Sequence, residues 1–411
     1  MNAAAGMAAI EGAGAAVGTA EVSGRHYRTG EPVAVCIENG TIVSVRPLTD
    51  APAGADGREL PWIGPGLVDL QINGCAGFDF NTIPMADGTA QRITEALFRE
   101  GVTAYYPTVI TNSDEAIAEG MRTIAAACDT DPACRAAIAG IHLEGPFISP
   151  EDGARGAHSK AYVKAPDWEL FQRWQESAGG RIRIVTLSPE WPEAPAFIER
   201  CVAHGVRVSI GHTAATSEQV KAAVRAGATM STHLGNGAHR LLPRHPNYIW
   251  DQLAEDGLAS CLIADGFHLP DAFLKVALRV KGERAILVSD AVSFSGMPPG
   301  MYNSHIGGQV VLTPEGKLYM AGEPRLLAGS AQLLPRGIAN IARKGLASLA
   351  AAWEMASVHP SERMGLPSAR GLAPGAPADL VRFRWDGQRV RIVETYKSGV
   401  KVYDSVTGEG K

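Results

Sequence analysis

No run of about 18 or more apolar residues occurs in this 411-residue chain, so no membrane-spanning helix is expected. Neither sign of charge dominates. Its 43 acidic and 38 basic side chains leave a formal charge of −5, and without a basic face a nucleic-acid partner is not expected. CxxC pairs are absent as well. The six cysteines (Cys36, Cys75, Cys128, Cys134, Cys201 and Cys261) are scattered, mostly in apolar stretches, which reads as reduced core thiols of a cytoplasmic protein rather than a disulfide framework. Residues 1–20, rich in Ala and Gly, lack the basic start of a signal peptide and are expected to form a flexible extension. What remains is globular in composition, 45% apolar and 20% charged, and long enough for one large barrel with an appended module.

Short apolar runs alternate with helical patterns through the middle of the chain. The runs cover 67–73, 102–108, 137–144, 182–188, 206–212, 228–233, 258–265 and 285–290, and helical spacing falls between them at 89–100, 115–128, 195–204, 217–225 and 271–281. Alternation of strand and helix predicts a parallel sheet, and eight repeats predict its closure into an α/β fold of the (β/α)₈ TIM-like barrel type. An open doubly wound sheet is the alternative, but no Gly-rich nucleotide turn supports it. Near the N-terminus, Val33-Ala34-Val35-Cys36-Ile37 and Thr41-Ile42-Val43-Ser44-Val45 flank Asn39-Gly40, a hairpin signal. Strand patterns recur at 379–383, 390–393 and 400–403. A small β-sandwich built from 21–62 and 371–411 is therefore expected around a catalytic barrel at 63–370.

Several apolar runs end in polar residues. The first ends in Gln71-Ile72-Asn73, the third in His142-Leu143-Glu144, the fifth in His212, the sixth in His233 and the eighth in Asp290. In a (β/α)₈ barrel the C-terminal strand ends converge on the active site. Glu144, His212 and His233 supply one carboxylate and two imidazoles, a set that suits Zn²⁺ or a similar divalent ion with a position left open for water. Asp290 is placed to accept a proton from that water. One such histidine alone would be an ordinary structural residue; four polar residues at four strand ends make a constellation.

Around these residues stand Pro65-Gly66-Leu67-Val68-Asp69-Leu70-Gln71-Ile72-Asn73-Gly74-Cys75, His142-Leu143-Glu144-Gly145-Pro146-Phe147, Gly211-His212-Thr213, Thr232-His233-Leu234, Ala264-Asp265-Gly266-Phe267-His268, Ser289-Asp290-Ala291 and Leu327-Ala328-Gly329-Ser330-Ala331. In this order they resemble the N-acetylglucosamine-6-phosphate deacetylases of the amidohydrolase superfamily. The resemblance implies that Glu144, His212 and His233 bind the metal, that Asp290 is the general base, and that His158 bonds the substrate and helps stabilise the tetrahedral oxyanion. Many amidohydrolases carry an HxH pair after the first strand. Here that position reads Gln71-Ile72-Asn73, and Thr186-Leu187-Ser188 offers no bridging lysine, so one divalent metal ion per chain is expected, with Gln71 positioning the water.

By the same resemblance, Asn73, Asn236, Gly237, Arg244, His268, Leu327, Ala328 and Gly329 bind the substrate. Arg244 and His268 match the family's phosphate-binding arginine and histidine, and Arg240 is a second candidate. The expected reaction is hydrolysis of the N-acetyl amide of N-acetylglucosamine-6-phosphate to glucosamine-6-phosphate and acetate, by a homodimer. The stretch Thr232-His233-Leu234-Gly235-Asn236-Gly237 and the residues around Arg244 depart from the family pattern, which leaves an unphosphorylated or differently configured N-acetyl amino sugar as the alternative substrate. A catalytically silent sugar-binding homologue is the alternative of another class; it would be expected to lose the base or a metal ligand, and this chain keeps all four residues.

Overall fold

The computed structural model describes residues 18–48, 60–304 and 308–407. Eight parallel strands pair in chain order: β1 (Leu67–Ile72), β2 (Val102–Ile110), β3 (Ile141–Glu144), β4 (Ile182–Leu187), β5 (Arg207–Ile210), β6 (Met230–Ser231), β7 (Ala259–Ile263) and β8 (Ala285–Val288). They coincide with the eight apolar runs. The edges of this sheet meet where Asp290 N donates to Gln71 O at 2.9 Å and Asn73 N to Ala291 O at 2.8 Å. Asp69 reinforces that seam: its Oδ1 accepts from Ser289 N at 3.1 Å, and burial pushes its carboxyl up to about 7. Strands covered on both faces read as continuous apolar runs. Val68, Leu70, Tyr106, Ile184, Ile263 and Val288 belong to a cluster drawn from the strands alone, which fills the barrel.

Outside lie the main helices α1 (Thr89–Arg99), α2 (Asp114–Thr130), α3 (Trp168–Ser177), α4 (Ala194–Ala203), α5 (Ser217–Ala226), α6 (Tyr248–Ala254), α7 (Asp271–Lys281) and α8 (Leu334–Arg343). Helix α5 shows how locally these are specified. Val220 and Ala223 bury one face, Thr216 and Gln219 close a capping box, and Gly227, at φ 109°, ends the helix in the left-handed region. Helix α6 is stopped differently: the buried Lys281 Nζ donates to the carbonyls of Gln252, Glu255 and Leu258 at 2.8, 2.8 and 3.1 Å.

The terminal strands join, as their patterns predict, in a separate seven-stranded sheet. Its order is Val400–Asp404, Val390–Lys397, Leu380–Trp385, Trp62–Pro65, Thr19–His26, Pro32–Glu38, Thr41–Pro47. The sheet bends back on itself, since Ile42 N donates to Ala376 O at 2.9 Å. Trp353 fastens it to the barrel by stacking on Phe383 (centroids 4.0 Å apart) and donating from Nε1 to Pro65 O. The extension expected at 1–20 lies outside the described residues as far as 17, and Thr19 already belongs to a strand.

One element had no counterpart in the sequence reading. A four-stranded antiparallel sheet (Gly300–Asn303, Gln309–Leu312, Leu318–Met320, Glu323–Leu327) follows β8. Among the described residues no helix is long and apolar enough to cross a membrane, and the six cysteines are free thiols, five of them buried.

Candidate active site

The C-terminal ends of the barrel strands carry the polar residues. Glu144 closes β3, while His212, His233 and Asp290 each stand two residues beyond β5, β6 and β8. All three have left-handed backbones, with φ of 47°, 26° and 47°, among only six such non-glycine residues described. Each such residue costs about 1–3 kcal/mol. That cost is met here because each strand must turn sharply while its side chain stays directed at one point.

Glu144, His212 and His233 meet with their ligand-capable atoms within 4.8 Å of one another. Glu144 Oε1 lies 3.0 Å from His233 Nε2 and 3.3 Å from His212 Nε2, and the two Nε2 atoms are 3.1 Å apart. Burial opposes ionisation of Glu144, but hydrogen bonds and positive charge from the two imidazoles outweigh it and hold the carboxyl well below its usual range. Burial likewise opposes protonation of His233, and Glu144 outweighs it, so that its pKa is raised. His212 Nδ1 lies 3.2 Å from Ala154 O, a partner that can only accept. In the neutral ring that a metal ligand must be, the proton therefore sits on Nδ1, and the lone pair of Nε2 faces the cluster. Two imidazole nitrogens and a carboxylate oxygen aimed at one volume fit a divalent cation, with ligand types suited to Zn²⁺.

Around this cluster, Gln71 Nε2 donates to Glu144 Oε1 at 2.9 Å, and Asn73 Nδ2 donates to Asp290 Oδ1 at 2.9 Å. The buried Asn73 Oδ1 has no protein partner. Burial pushes Asp290 up to about 6, opposed by the positive charge of His233. His158 packs edge-on against His212, centroids 4.3 Å apart, and its Nδ1 lies 2.8 Å from Thr111 Oγ1. Burial, helped by His212, lowers its pKa to about 3, so this imidazole is neutral.

Two glycines of the motifs are explained by close approach. A Cβ at Gly145 (φ 81°) would lie 2.2 Å from Thr111 Oγ1, and one at Gly237 (φ 55°) 2.6 Å from His212 Nδ1.

These residues border a cavity of about 650 Å³. Asn73, His158, Asn236, Gly237, His268, Leu327, Ala328 and Gly329 all line it with the cluster and Asp290; Gln71 reaches it only through Glu144. His268 is fixed by Asp265, whose Oδ2 lies 2.7 Å from Nδ1. Arg244 is placed otherwise: it is exposed and is not among the lining residues, whereas Arg240 is. Thr111, Asp265 and Arg325 were not singled out from the sequence as site residues. Thr111 follows β2 and Asp265 follows β7, so the strand-end rule that found the others would have found these two. Arg325 lies in the unanticipated four-stranded sheet and had no such signal.

The pattern of the amidohydrolase family matches residues 62–402. The N-acetylglucosamine-6-phosphate deacetylase of Mus musculus is 33% identical over 355 residues, 84% of this chain and 84% of that protein. That of Lysinibacillus sphaericus is 31% identical over 321 residues, 77% and 80% of the two chains. Among solved structures, a mutant N-acetyl-D-glucosamine-6-phosphate deacetylase from Mycobacterium smegmatis in complex with N-acetyl-D-glucosamine-6-phosphate superimposes with a TM-score of 0.79 at 29% identity, covering 90% of this chain and 94% of that one. The Thermotoga maritima enzyme gives 0.80 at 26% identity over 94% and 100%. The barrel, the terminal sheet and the relatives agree: this chain belongs to the amidohydrolase family, among the homologues of N-acetylglucosamine-6-phosphate deacetylase.

Proposed function

We propose that this chain hydrolyses the N-acetyl amide of an amino sugar phosphate, N-acetylglucosamine-6-phosphate, to glucosamine-6-phosphate and acetate. The observation that carries the reading is the convergence of Glu144, His212 and His233 beside Asp290 in one cavity, in a chain whose relatives bear that activity. Glu144, His212 and His233 would hold one divalent ion, Zn²⁺ by ligand type. When bound, it supplies Lewis acidity that favours hydroxide at neutral pH and polarises the amide carbonyl.

The protein's own groups do the rest. Asn73 holds Asp290 by Oδ1, leaving Oδ2 to take a proton from the attacking water and return it to the sugar nitrogen as the C–N bond breaks. With Thr111 Oγ1 donating to Nδ1, neutral His158 carries its proton on Nε2 and donates it to the carbonyl oxygen as charge develops there. Gln71 fixes Glu144 and orients the water through it. Asn236, Gly237, His268 and the Leu327-Ala328-Gly329 segment hold the sugar.

This reading places a homodimer in the cytoplasm; buried free thiols support a reducing compartment, and light scattering tests the dimer. The substrate is tested by acetate release from N-acetylglucosamine-6-phosphate, its galactosamine isomer and both unphosphorylated sugars. Preferred turnover of the first is expected. Release from none would refute the proposal, and equal turnover with and without phosphate would favour the unphosphorylated alternative.

A further inference from the structure

Inside the barrel, one layer below the metal cluster, four polar side chains stand where aliphatic residues would fill the space as well. His142 of β3, Thr186 of β4, Ser209 of β5 and Thr232, just past β6, are all buried. His142, Ser209 and Thr232 border, with Gln71, a small interior cavity of about 10 Å³ whose other walls include Ile184 and Met230 from the apolar filling. The four make one hydrogen-bonded chain. His142 Nδ1 lies 3.0 Å from Leu70 O, which can only accept, so the ring donates there. On its other side, Nε2 lies 2.7 Å from Thr186 Oγ1. Thr186 Oγ1 lies 2.6 Å from Thr232 Oγ1, which in turn lies 2.6 Å from Ser209 Oγ.

This chain runs directly behind the groups of the candidate site. Leu70 precedes Gln71, His142 stands two residues before Glu144, and Thr232 precedes His233. Thr186 O accepts from Gly145 N at 3.1 Å, just after Glu144. Gly211, just before His212, has no room for a side chain: a Cβ there would lie 2.7 Å from Thr232 Cβ and 2.8 Å from Thr186 Cγ2. Burying an imidazole and three hydroxyls is costly unless each is bonded, and valine or leucine would fill this layer at lower cost. What the hydrogen bonds add is direction, because a fully bonded buried network rigidifies its surroundings and selects one arrangement. The left-handed turns at His212 and His233 need such support from the strands beneath them.

We infer that His142 and Thr186 are positioning residues for the metal site, and that the chain from Leu70 to Ser209 sets the aim of Gln71, Glu144, His212 and His233. This rests on the metal-dependent reading of the cluster and names what aligns its ligands. Neither His142 nor Thr186 borders the large cavity, so both act through the ligands and not on the substrate.

Thr186 separates a polar brace from simple packing. Thr186→Val keeps the shape and removes the hydroxyl, whereas Thr186→Ser keeps the hydroxyl and removes the methyl that faces Gly211. Zn²⁺ affinity is measured by competition with a chromogenic chelator, and the visible absorption of Co²⁺-loaded protein reports ligand geometry. Thr186→Val should bind Zn²⁺ about 10- to 100-fold more weakly than wild type and shift the Co²⁺ bands. Thr186→Ser should stay close to wild type in both. His142→Asn, whose amide replaces Nδ1 but not Nε2, should weaken binding as Thr186→Val does. Lys281→Met, which lies outside the chain, should lower the melting transition without changing the affinity. Wild-type affinity in Thr186→Val or His142→Asn, weaker binding in Thr186→Ser than in Thr186→Val, or an equal loss in Lys281→Met would overturn the inference. If wild type binds Zn²⁺ but releases acetate from no amino sugar, the deacetylase reading fails while the affinities still judge the brace. A wild type that binds no Zn²⁺ overturns both.

Discussion

Replacing Gly237 by alanine tests whether the loop over His212 is part of the metal site. The added Cβ would lie 2.6 Å from His212 Nδ1 and 2.7 Å from its Cε1, closer than packed atoms approach, so ring or loop must move by several tenths of an ångström. The backbone adds its own cost, since φ is 55° and alanine in the left-handed region costs about 1–2 kcal/mol. Gly88 is the control. It has φ 73°, and a Cβ there meets nothing within 4 Å, so Gly88→Ala carries the backbone cost without the collision. Gly88→Ala should lose about 1–2 kcal/mol of stability in chemical denaturation, and Gly237→Ala at least as much. Only Gly237→Ala should also weaken the metal, because a displaced ring no longer aims Nε2 at the cluster. Supporting contacts of a ligand are worth about 10- to 100-fold in affinity. Competition against a chromogenic chelator reads that affinity directly. Equal metal affinity in Gly237→Ala and Gly88→Ala would refute the reasoning.

Asp290→Asn should cut kcat by about 100- to 10,000-fold with little change in KM, which acetate release measures. As the proposed base, Asp290 would work only when deprotonated. Burial raises its pKa to about 6, so kcat/KM should fall as pH drops below that value, and a bound cation should move this limb lower still. Thr111→Val should lower kcat about tenfold by freeing the His158 ring, while Thr111→Ser retains the hydroxyl and should recover most of the rate in steady-state assays. Lys281→Met removes the Nζ donor from three carbonyls after α6, of which Glu255 O keeps Leu258 N, and should cost about 1–3 kcal/mol in urea unfolding.

The barrel was legible because its strands are buried on both faces and so read as unbroken apolar runs, each punctuated by a polar residue. That punctuation located Glu144, His212, His233 and Asp290, and the structure brings all four to one cavity. Sequence patterns do not show how the chain turns at those residues, and the left-handed backbones of His212, His233 and Asp290 appear only in three dimensions. The four-stranded sheet escaped notice for a different reason. Its strands are three to five residues long and broken by Pro-Glu-Gly and Gly-Glu-Pro, and Glu323–Leu327 is largely exposed, so neither alternation nor a continuous run marks it. With it Arg325 was missed. Arg244 was favoured over Arg240 by position in a motif, but the loop from Ala238 to Asn247 has no periodicity from which its path could be drawn.

One divalent ion at Glu144, His212 and His233 is proposed to make this chain an amide hydrolase. This is tested by stripping the protein with a chelator and titrating Zn²⁺ back while following acetate release from N-acetylglucosamine-6-phosphate. The stripped protein should be inactive, and activity should return linearly and level off at about one ion per chain, as a three-ligand site with an open position requires. Full activity without metal, or a plateau only at two ions, would contradict it.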